Sequence, residues 1–184
     1  MNNILNVIKN RRSIRAYTDQ QLTEEELNTI LEAGMWAPSS HNTQPWHFTV
    51  IQNKAVLKSI SDFSKAKMSE SPVEWVAKMG QSPMNVFYDA PTVIIVSGKQ
   101  FEFFNPLVDC SAAIQNMLLA AEGMGLGSCW IGLTRFFFSD KEKTQDLLKL
   151  PEGYEPFYSV CFGHKKVQPD HGPRRKEGLI AYIR

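Results

Sequence analysis

A run of β-branched residues between Pro91 and Val96 limits most strongly what this chain can fold into. It reads Pro-Thr-Val-Ile-Ile-Val, and a short continuous apolar run of this kind is typical of a strand buried in the middle of a sheet. No apolar run in the sequence approaches the roughly 18 residues of a membrane-spanning helix. We therefore expect a central strand at this point and no association with a membrane.

Helical and strand patterns alternate around this run. Helices are predicted over Asn2–Asn10, from a capping box at Thr23–Glu26 to just before Pro38, over most of residues 52–80, from Pro106 to the glycines at 123–127, and from a second capping box at Ser139–Glu142 to Pro151. Further strands are predicted at Trp46–Ile51 and Phe157–Phe162. Strands separated by helices, without a repeat or a flexible linker, predict one domain over residues 1–184 of mixed α/β or α+β type.

The charge of the chain is balanced overall but unevenly distributed. Twenty Lys and Arg residues against nineteen Asp and Glu give a net charge of +1, which argues against a generally basic nucleic-acid-binding surface. Residues 1–20 nevertheless hold four basic side chains and one acidic one, and residues 164–184 hold six and two. Because the termini of compact domains often lie close together, the two ends could share one anion. Two solvated basic tails would give the same composition.

Several familiar motifs of catalysis and metal binding are absent from the sequence. The glycines at 123, 125 and 127 do not fit a dinucleotide fingerprint and follow a predicted helix, and there is no phosphate-binding lysine loop or serine nucleophile elbow. The four histidines have no metal-ligand spacing, so no metal is expected. Three cysteines without a C-x-x-C pair, and a start without the features of a secretory signal, predict a reduced cytoplasmic protein.

Two segments have the chemistry of a binding site. Arg11-Arg12-Ser13-Ile14-Arg15 combines guanidinium groups, which can bind a phosphate through two parallel hydrogen bonds, with a hydroxyl. If the segment is extended, Arg11, Ser13 and Arg15 share one side. The segment from Pro38 to Trp46 holds small hydroxyl and amide side chains that can hydrogen-bond to the edge of a flat heteroaromatic ring, although a capped turn would have the same composition.

Taken together and in this order, these segments resemble the nitroreductase family of FMN-dependent oxidoreductases. The resemblance is carried by five stretches, R-R-S-I-R-A-Y at 11–17, A-P-S-S-H-N-T-Q-P-W-H-F at 37–48, D-C-S-A-A-I-Q-N-M-L-L-A-A at 109–121, G-L-G-S-C-W-I-G at 125–132 and G-P-R-R-K at 172–176. It implies an α+β fold with a central mixed β-sheet flanked by helices. It also implies an intertwined homodimer that binds two FMN molecules at the subunit interface.

The resemblance also implies a role for each candidate residue. Arg11 and Ser13, with Arg174 or Arg175, would hold the flavin phosphate, and Arg12 would lie close to the FMN. Arg15 would reach the pyrimidine side of the flavin ring and stabilise the negative charge that reduction places there. The other subunit would line the same flavin with Pro38, Ser39, Ser40 and Asn42. Residues Trp130, Ile131 and Gly132 would cover one face of the ring.

The activity implied is transfer of a hydride from NADH or NADPH, through FMN, to an electron-poor nitroaromatic or quinone in a ping-pong cycle. The flavin carries the chemistry, so no protein nucleophile or general base is nominated. Specialised flavin reactions such as dehalogenation, enoate reduction or flavin fragmentation, and an FMN-binding redox sensor, remain alternatives. Some relatives place a lysine and an asparagine just before the predicted central strand, and this chain has only Asn85 there.

Overall fold

The computed structural model describes residues 3–169 and 172–184, which form a four-stranded sheet with helices on both faces. The strands are β1 (Trp46–Ile51), β2 (Thr92–Lys99), β3 (Leu126–Ile131) and β4 (Tyr154–His164). The helices are α1 (Asn3–Asn10), α2 (Glu24–Met35), α3 (Lys54–Ser69), α4 (Glu74–Gln81), α5 (Pro106–Gly123), α6 (Arg135–Phe138) and α7 (Lys141–Leu148). In this part of the chain, no helix is long and apolar enough to cross a membrane.

The strands lie in the order β1-β2-β4-β3, and each neighbouring pair is antiparallel. The predicted α+β class with flanking helices is confirmed, but the expected mixed sheet is wrong for these four strands. The two helices between β1 and β2 return the chain to the end of the sheet at which β1 stops. Ile51 at the end of β1 therefore pairs with Val93 at the start of β2. The single helix α5 makes β2 and β3 parallel, but β4 lies between them. Parallel pairing among the described residues is confined to a bridge between Ser13 and Ser128.

Strand β2 is the centre of the core, as its sequence predicted. Val93 and Ile95 face the layer that contains α3 and α6, whereas Ile94 and Val96 face α2 and α5, and all four side chains are fully buried. Because successive side chains of a strand point to opposite faces, β2 packs against the apolar layers on both faces of the sheet. Burial of this kind contributes roughly 1.5–3 kcal/mol for each large aliphatic side chain.

Most of the predicted elements are present, and the first capping box is confirmed. The Thr23 hydroxyl accepts a hydrogen bond from the Glu26 amide, and the Glu26 carboxylate accepts one from the Thr23 amide. The first helix begins at Asn3 in the structure, and Asn2 lies outside the described residues. Strand β1 has the predicted bounds, and α5 begins at Pro106.

Two features of the second half of the chain were not predicted correctly. The second capping box is wrong because Asp140 caps α7, accepting a hydrogen bond from the Lys143 amide at 3.0 Å. Ser139 instead donates to the Phe136 carbonyl and ends the short helix α6. Strand β3 was not predicted, because its glycine-rich start has the sequence of a helix end. Its own composition does not favour a strand, and pairing with β4 stabilises it.

The segment that follows α1, residues 11–18, is docked across the edge of the sheet; we call it the docked segment. The Ile14 amide donates to the Ser128 carbonyl on β3 at 2.9 Å, and the Thr18 amide donates to the His164 carbonyl at the end of β4 at 3.0 Å. The Ile14 side chain is 2% exposed and belongs to the core on the α3 side of the sheet. Residues 11–18 therefore have a fixed position on β3 and β4.

Gly127 allows this close approach. A Cβ atom on Gly127 would lie 2.9 Å from Ile14 Cγ2 and 3.1 Å from Lys165 Cγ. Ile14 is β-branched and buried, so it has little freedom to move away. The close packing of the docked segment on β3 therefore requires a glycine at this position.

We expect Gly127→Ala to lower the free energy of unfolding by about 1–3 kcal/mol, because the added methyl group overpacks the contact with Ile14. The measurement is urea-induced unfolding followed by circular dichroism at a fixed protein concentration.

The matched control is Gly123→Ala at the end of α5, where an added Cβ meets no atom within 4 Å. This change should leave the unfolding free energy the same or raise it by up to about 1 kcal/mol. Equal stabilities of the two variants would show that the docked segment does not depend on the missing side chain at Gly127.

Candidate functional site

The docked segment presents its polar side chains outward and its apolar ones to the core. Ser13 and Arg15 are exposed, whereas Ile14 between them and Tyr17 beyond them are buried. The alternation at residues 13–15 is that of an extended backbone, which the bridge between Ser13 and Ser128 holds against the sheet. Tyr17 does not continue this alternation, and it is buried where a second bridge pairs it with Lys165. The condition set in the sequence analysis, an extended segment, is met at Ser13, where the chain pairs with β3.

The docked segment lies next to Cys129 on β3, since Ser13 forms a bridge with Ser128, the residue before Cys129. Burial raises the pKa of the Cys129 thiol, and the Arg15 guanidinium, the adjacent Ser13 hydroxyl and the Arg11 charge each act to lower it. Ser13 and Arg15 are both on the exposed side of the docked segment, and the grouping of Arg11 with them stays a prediction.

Arg15 packs on an aromatic ring that the sequence analysis did not identify. Its guanidinium carbon lies 5.7 Å from the centre of the Tyr88 ring, within the range of a cation–π interaction. Partial burial lowers the pKa of Arg15, whereas the Cys129 thiol and the Tyr88 hydroxyl raise it. The net pKa is raised, so Arg15 carries its positive charge at any working pH.

The two basic ends of the chain meet at Arg12 and Gly172. The Arg12 guanidinium occupies the place that a Cβ on Gly172 would take, so the C-terminal tail passes directly against it. The Arg12 Nη1 group donates to the Lys9 and Arg11 carbonyls, both at 2.7 Å. Arg12 Nε is buried and has no hydrogen-bond partner among the described residues. The two ends of the chain are therefore close together at this contact, and the sharing of one anion by their cations stays a prediction.

Arg174 and Arg175 lie farther along the tail and are exposed. Arg174 forms a surface ion pair with Glu177 at 3.1 Å, and Arg175 donates to the Pro173 carbonyl at 3.3 Å. Neither forms a hydrogen bond with Arg11 or Ser13 within the described ranges 3–169 and 172–184. Their predicted role at a phosphate stays a prediction.

The loop from Pro38 to Asn42 is anchored to α5 rather than to the docked segment. Its last three residues form a 3₁₀ turn, in which His41 and Asn42 have left-handed backbones with φ of 51° and 54°. The Ser40 amide donates to the Asp109 carboxylate at 3.2 Å. Ser39 accepts from the Gln44 amide, and Pro38 and Asn42 are exposed. None of the described hydrogen bonds joins this loop to residues 11–15.

Residues Trp130 and Ile131 lie at the end of β3, and the exposed Gly132 follows them. Trp130 packs edge-on against Tyr158 at 5.2 Å and belongs to the face of the sheet that α2 and α5 cover. Ile131 is buried on the opposite face, together with Cys129. Gly132 borders open space, since a Cβ there would meet no atom within 4 Å. Of these residues, Ile131 and Gly132 are therefore better placed than the Trp130 ring to approach the docked segment.

Asn85 has a structural role in the turn before β2. Its side-chain oxygen accepts a hydrogen bond from the Phe87 amide at 2.8 Å. It also lines a cavity of about 620 Å³ between α3 and residues 83–90, whose lining includes Asp19 and Lys58 but not residues 11–15. Tyr88, three residues later, is the side chain that reaches Arg15. The sequence gives no indication of this contact, because Tyr88 has a left-handed backbone (φ 54°) that is uncommon for tyrosine and is not expected from its residue type.

The described residues contain no group of three or more His, Cys, Asp or Glu side chains that could hold a metal ion. His171, which the sequence analysis also considered, lies outside them. The charged side chains of the candidate site are the guanidinium groups of Arg11 and Arg15. Neither has a carboxylate partner among the described ion pairs, and guanidinium groups of this kind can bind a phosphate or another anion.

Comparison with known proteins identifies the family of this chain. The sequence model of the Nitroreductase family matches residues 8–164. A protein of Archaeoglobus fulgidus is 36% identical over 175 residues, which cover 92% of this chain and 90% of the relative. A Bacillus subtilis protein named FMN reductase (NADPH) is 30% identical over 186 residues, with 95% and 70% coverage.

A solved structure has the same fold over its whole length. The crystal structure of a nitroreductase with bound FMN from Bacteroides fragilis superposes with a TM-score of 0.90 at 34% sequence identity, and the likeness covers 100% of both chains. The family match extends over most of the present sequence and includes the docked segment and all four strands. The chain belongs to the Nitroreductase family.

Proposed function

We propose that this protein is an FMN-dependent NAD(P)H oxidoreductase that acts as a homodimer. The observation that supports the proposal most strongly is the attachment of the docked segment to β3, which leaves Ser13 exposed and places the Arg15 guanidinium on the Tyr88 ring. Bound FMN would supply the redox chemistry, taking a hydride from NADH or NADPH and passing two electrons to an electron-poor acceptor. The relatives support this assignment, because one is named an FMN reductase and another was crystallised with FMN.

Arg11 and Ser13 are the proposed phosphate-binding residues. A guanidinium and a hydroxyl two residues apart on one segment can each donate to phosphate oxygens, and charge-assisted hydrogen bonds are about twice as strong as neutral ones. The contact of Gly172 with Arg12 brings the tail to the same end of the molecule. Arg174 or Arg175 on the same exposed tail would join them at the phosphate.

Arg15 is the proposed electrostatic stabiliser of the flavin. Its side chain is exposed, permanently charged and held beside β3 by the docked segment. A fixed cation at the pyrimidine side of the ring stabilises the negative charge that reduction creates, and this raises the reduction potential. The protein thus contributes orientation and an electric field.

A second copy of this chain is proposed to complete the site. The residues Pro38, Ser39, Ser40 and Asn42 lie on a loop that is anchored to α5 and would contact FMN bound to the other subunit. Large apolar side chains are exposed on one connected region and on the tail, and such patches are typical of interfaces. They are Ile4, Leu5, Ile8, Met35 and Trp36, together with Leu179, Ile180, Tyr182 and Ile183.

An apolar groove on this region supports the dimer. It has a volume of about 350 Å³, and its lining includes Ile4 of α1, Trp36 after α2 and Leu119 of α5. The exposed apolar tail of a second copy has the chemistry to fill it, as expected for an intertwined dimer. Burial of the groove and tail would remove from water the largest exposed apolar side chains of α1 and residues 179–183.

The reaction cycle and the cellular setting follow from the same proposal. If Ile131 and Gly132 cover one face of the flavin ring, one face is left for both the nicotinamide and the acceptor, which favours a ping-pong cycle. Nitroaromatics and quinones are the proposed acceptors. The three cysteines are free and buried, which fits a reducing compartment such as the cytoplasm. Residues 1–184 would act as one FMN-binding domain.

We expect the purified protein to bind FMN with one molecule per chain. NADH or NADPH added without oxygen should bleach the flavin, and a quinone or nitroaromatic should restore its colour. The measurement is anaerobic absorption spectroscopy with each reactant added in turn. A well-folded protein that takes up no FMN and oxidises neither nicotinamide would contradict the proposal.

We expect Arg11→Ala to weaken FMN binding roughly 10- to 150-fold, because a charge-assisted contact with phosphate contributes about 1.5–3 kcal/mol. The dissociation constant is measured by quenching of flavin fluorescence. The matched control is Arg135→Ala, which removes an exposed arginine from α6 and should leave the affinity unchanged. Equal affinities of the two variants would exclude Arg11 from the phosphate site.

Mixing two variants tests whether the site is shared between subunits. Asn42→Ala should also weaken FMN binding, and a dimer of one Arg11→Ala chain with one Asn42→Ala chain has one site with both changes and one site intact. When equal amounts of the two proteins are unfolded and refolded together, random reassortment makes about half of the dimers mixed, so about a quarter of the wild-type binding capacity should return. No recovery would contradict a site at the dimer interface.

A further inference from the structure

Tyr88 lies in an unusual backbone turn immediately before the central strand. Tyr88 and Asp89 have successive left-handed backbones, with φ of 54° and 55°. A bulky side chain rarely adopts this conformation, because its Cβ then crowds the following carbonyl group. Strain of this kind persists only where the surrounding structure imposes it.

The surroundings of the turn impose this conformation from both sides. The Tyr88 amide donates to the Asn85 carbonyl and the Ala90 amide donates to the Phe87 carbonyl, each at 3.0 Å. The Phe87 ring is fully buried in the core, and its carbonyl also accepts a contact from the Cys161 thiol at 3.4 Å. The turn is therefore fixed, and the Tyr88 ring is held with it.

The position of the ring matters because of what lies over it. The Arg15 guanidinium carbon is 5.7 Å from the ring centre, and Arg15 forms no ion pair with a carboxylate among the described residues. A cation–π contact restrains a guanidinium without neutralising its charge, and leaves its N–H groups able to donate elsewhere. A carboxylate in the same place would hold Arg15 equally well but would cancel its field.

We propose that Tyr88 is a positioning residue, whose strained turn holds the Arg15 guanidinium in place and so sets the reduction potential of the bound flavin. This inference rests on the proposed function. It adds Tyr88 to the site as a residue that affects the flavin only by positioning Arg15. The Tyr88 ring restricts where the charge can lie, and Arg15 then stabilises the reduced flavin more than the oxidised one.

The experiment compares variants of Tyr88 by their affinity for oxidised and for reduced FMN. Tyr88→Asn removes the ring but suits the left-handed backbone, since asparagine tolerates positive φ, so the turn is kept. Tyr88→Phe keeps the ring. The matched control is Phe136→Leu, which removes the ring under Arg135 on α6, where the guanidinium carbon lies 4.9 Å from the ring centre.

We expect Tyr88→Asn to reduce the preference for reduced over oxidised FMN about tenfold, which for a two-electron couple is a potential about 30 mV more negative. Tyr88→Phe and Phe136→Leu should keep the preference within about twofold of wild type. In a chain that already carries Arg15→Gln, Tyr88→Asn should cause no additional change, because its effect passes through Arg15.

Two results would overturn the inference. One is a Tyr88→Asn protein that keeps the wild-type preference or loses affinity equally for both forms of FMN. The other is an additional shift in the Arg15→Gln chain, which would mean that Tyr88 acts on the flavin directly. A wild-type protein that binds no FMN would overturn the proposed function itself, and is distinguished from both results by the wild-type titration alone.

Discussion

The backbone hydrogen bond from Ile14 to Ser128, with the Ile14 side chain packed over Gly127, is the interaction on which the candidate site depends. It attaches the docked segment to the edge of β3, and the extended backbone then turns Ser13 and Arg15 outward. Without this attachment, the basic residues after α1 would lie on a solvated tail and would have no fixed positions relative to one another. The core therefore positions the candidate site through the buried Ile14. Catalysis by a bound flavin would depend on the packing of Ile14 against Gly127, which itself does not contact the flavin.

The basic side chains near the docked segment differ in whether they have an ion-pair partner. Lys165, next to the docked segment, forms an ion pair with Glu122 at 2.8 Å, and both side chains are about nine-tenths buried. Arg11 and Arg15, by contrast, have no carboxylate partner in the described part of the chain, and Arg15 rests on an aromatic ring instead. Paired charges attract no ligand, whereas unpaired ones create a local field for an anion. This difference separates Lys165, whose ion pair is part of the fold, from the arginines of the candidate site.

Local patterns predicted the parts of the fold that local interactions determine. The capping box at Thr23, the strand Trp46–Ile51 and the start of α5 at Pro106 each depend on neighbouring residues and are confirmed. Strand β3 and the antiparallel order of the sheet depend on pairing with β4, which comes later in the chain. In the site, the alternation at residues 11–15 was predictable from the sequence. The contact with Tyr88 was not, because it joins residues 73 positions apart through a rare backbone conformation.

A crystal structure of the protein with FMN is the most direct test that the docked segment forms the cofactor site. The phosphate should lie within hydrogen-bonding distance of Arg11 and Ser13, with the pyrimidine edge of the ring beside Arg15. The loop at residues 38–42 of a second subunit should contact the same flavin. FMN bound instead in the cavity between α3 and residues 83–90, or seated in a monomer away from the docked segment, would contradict the account.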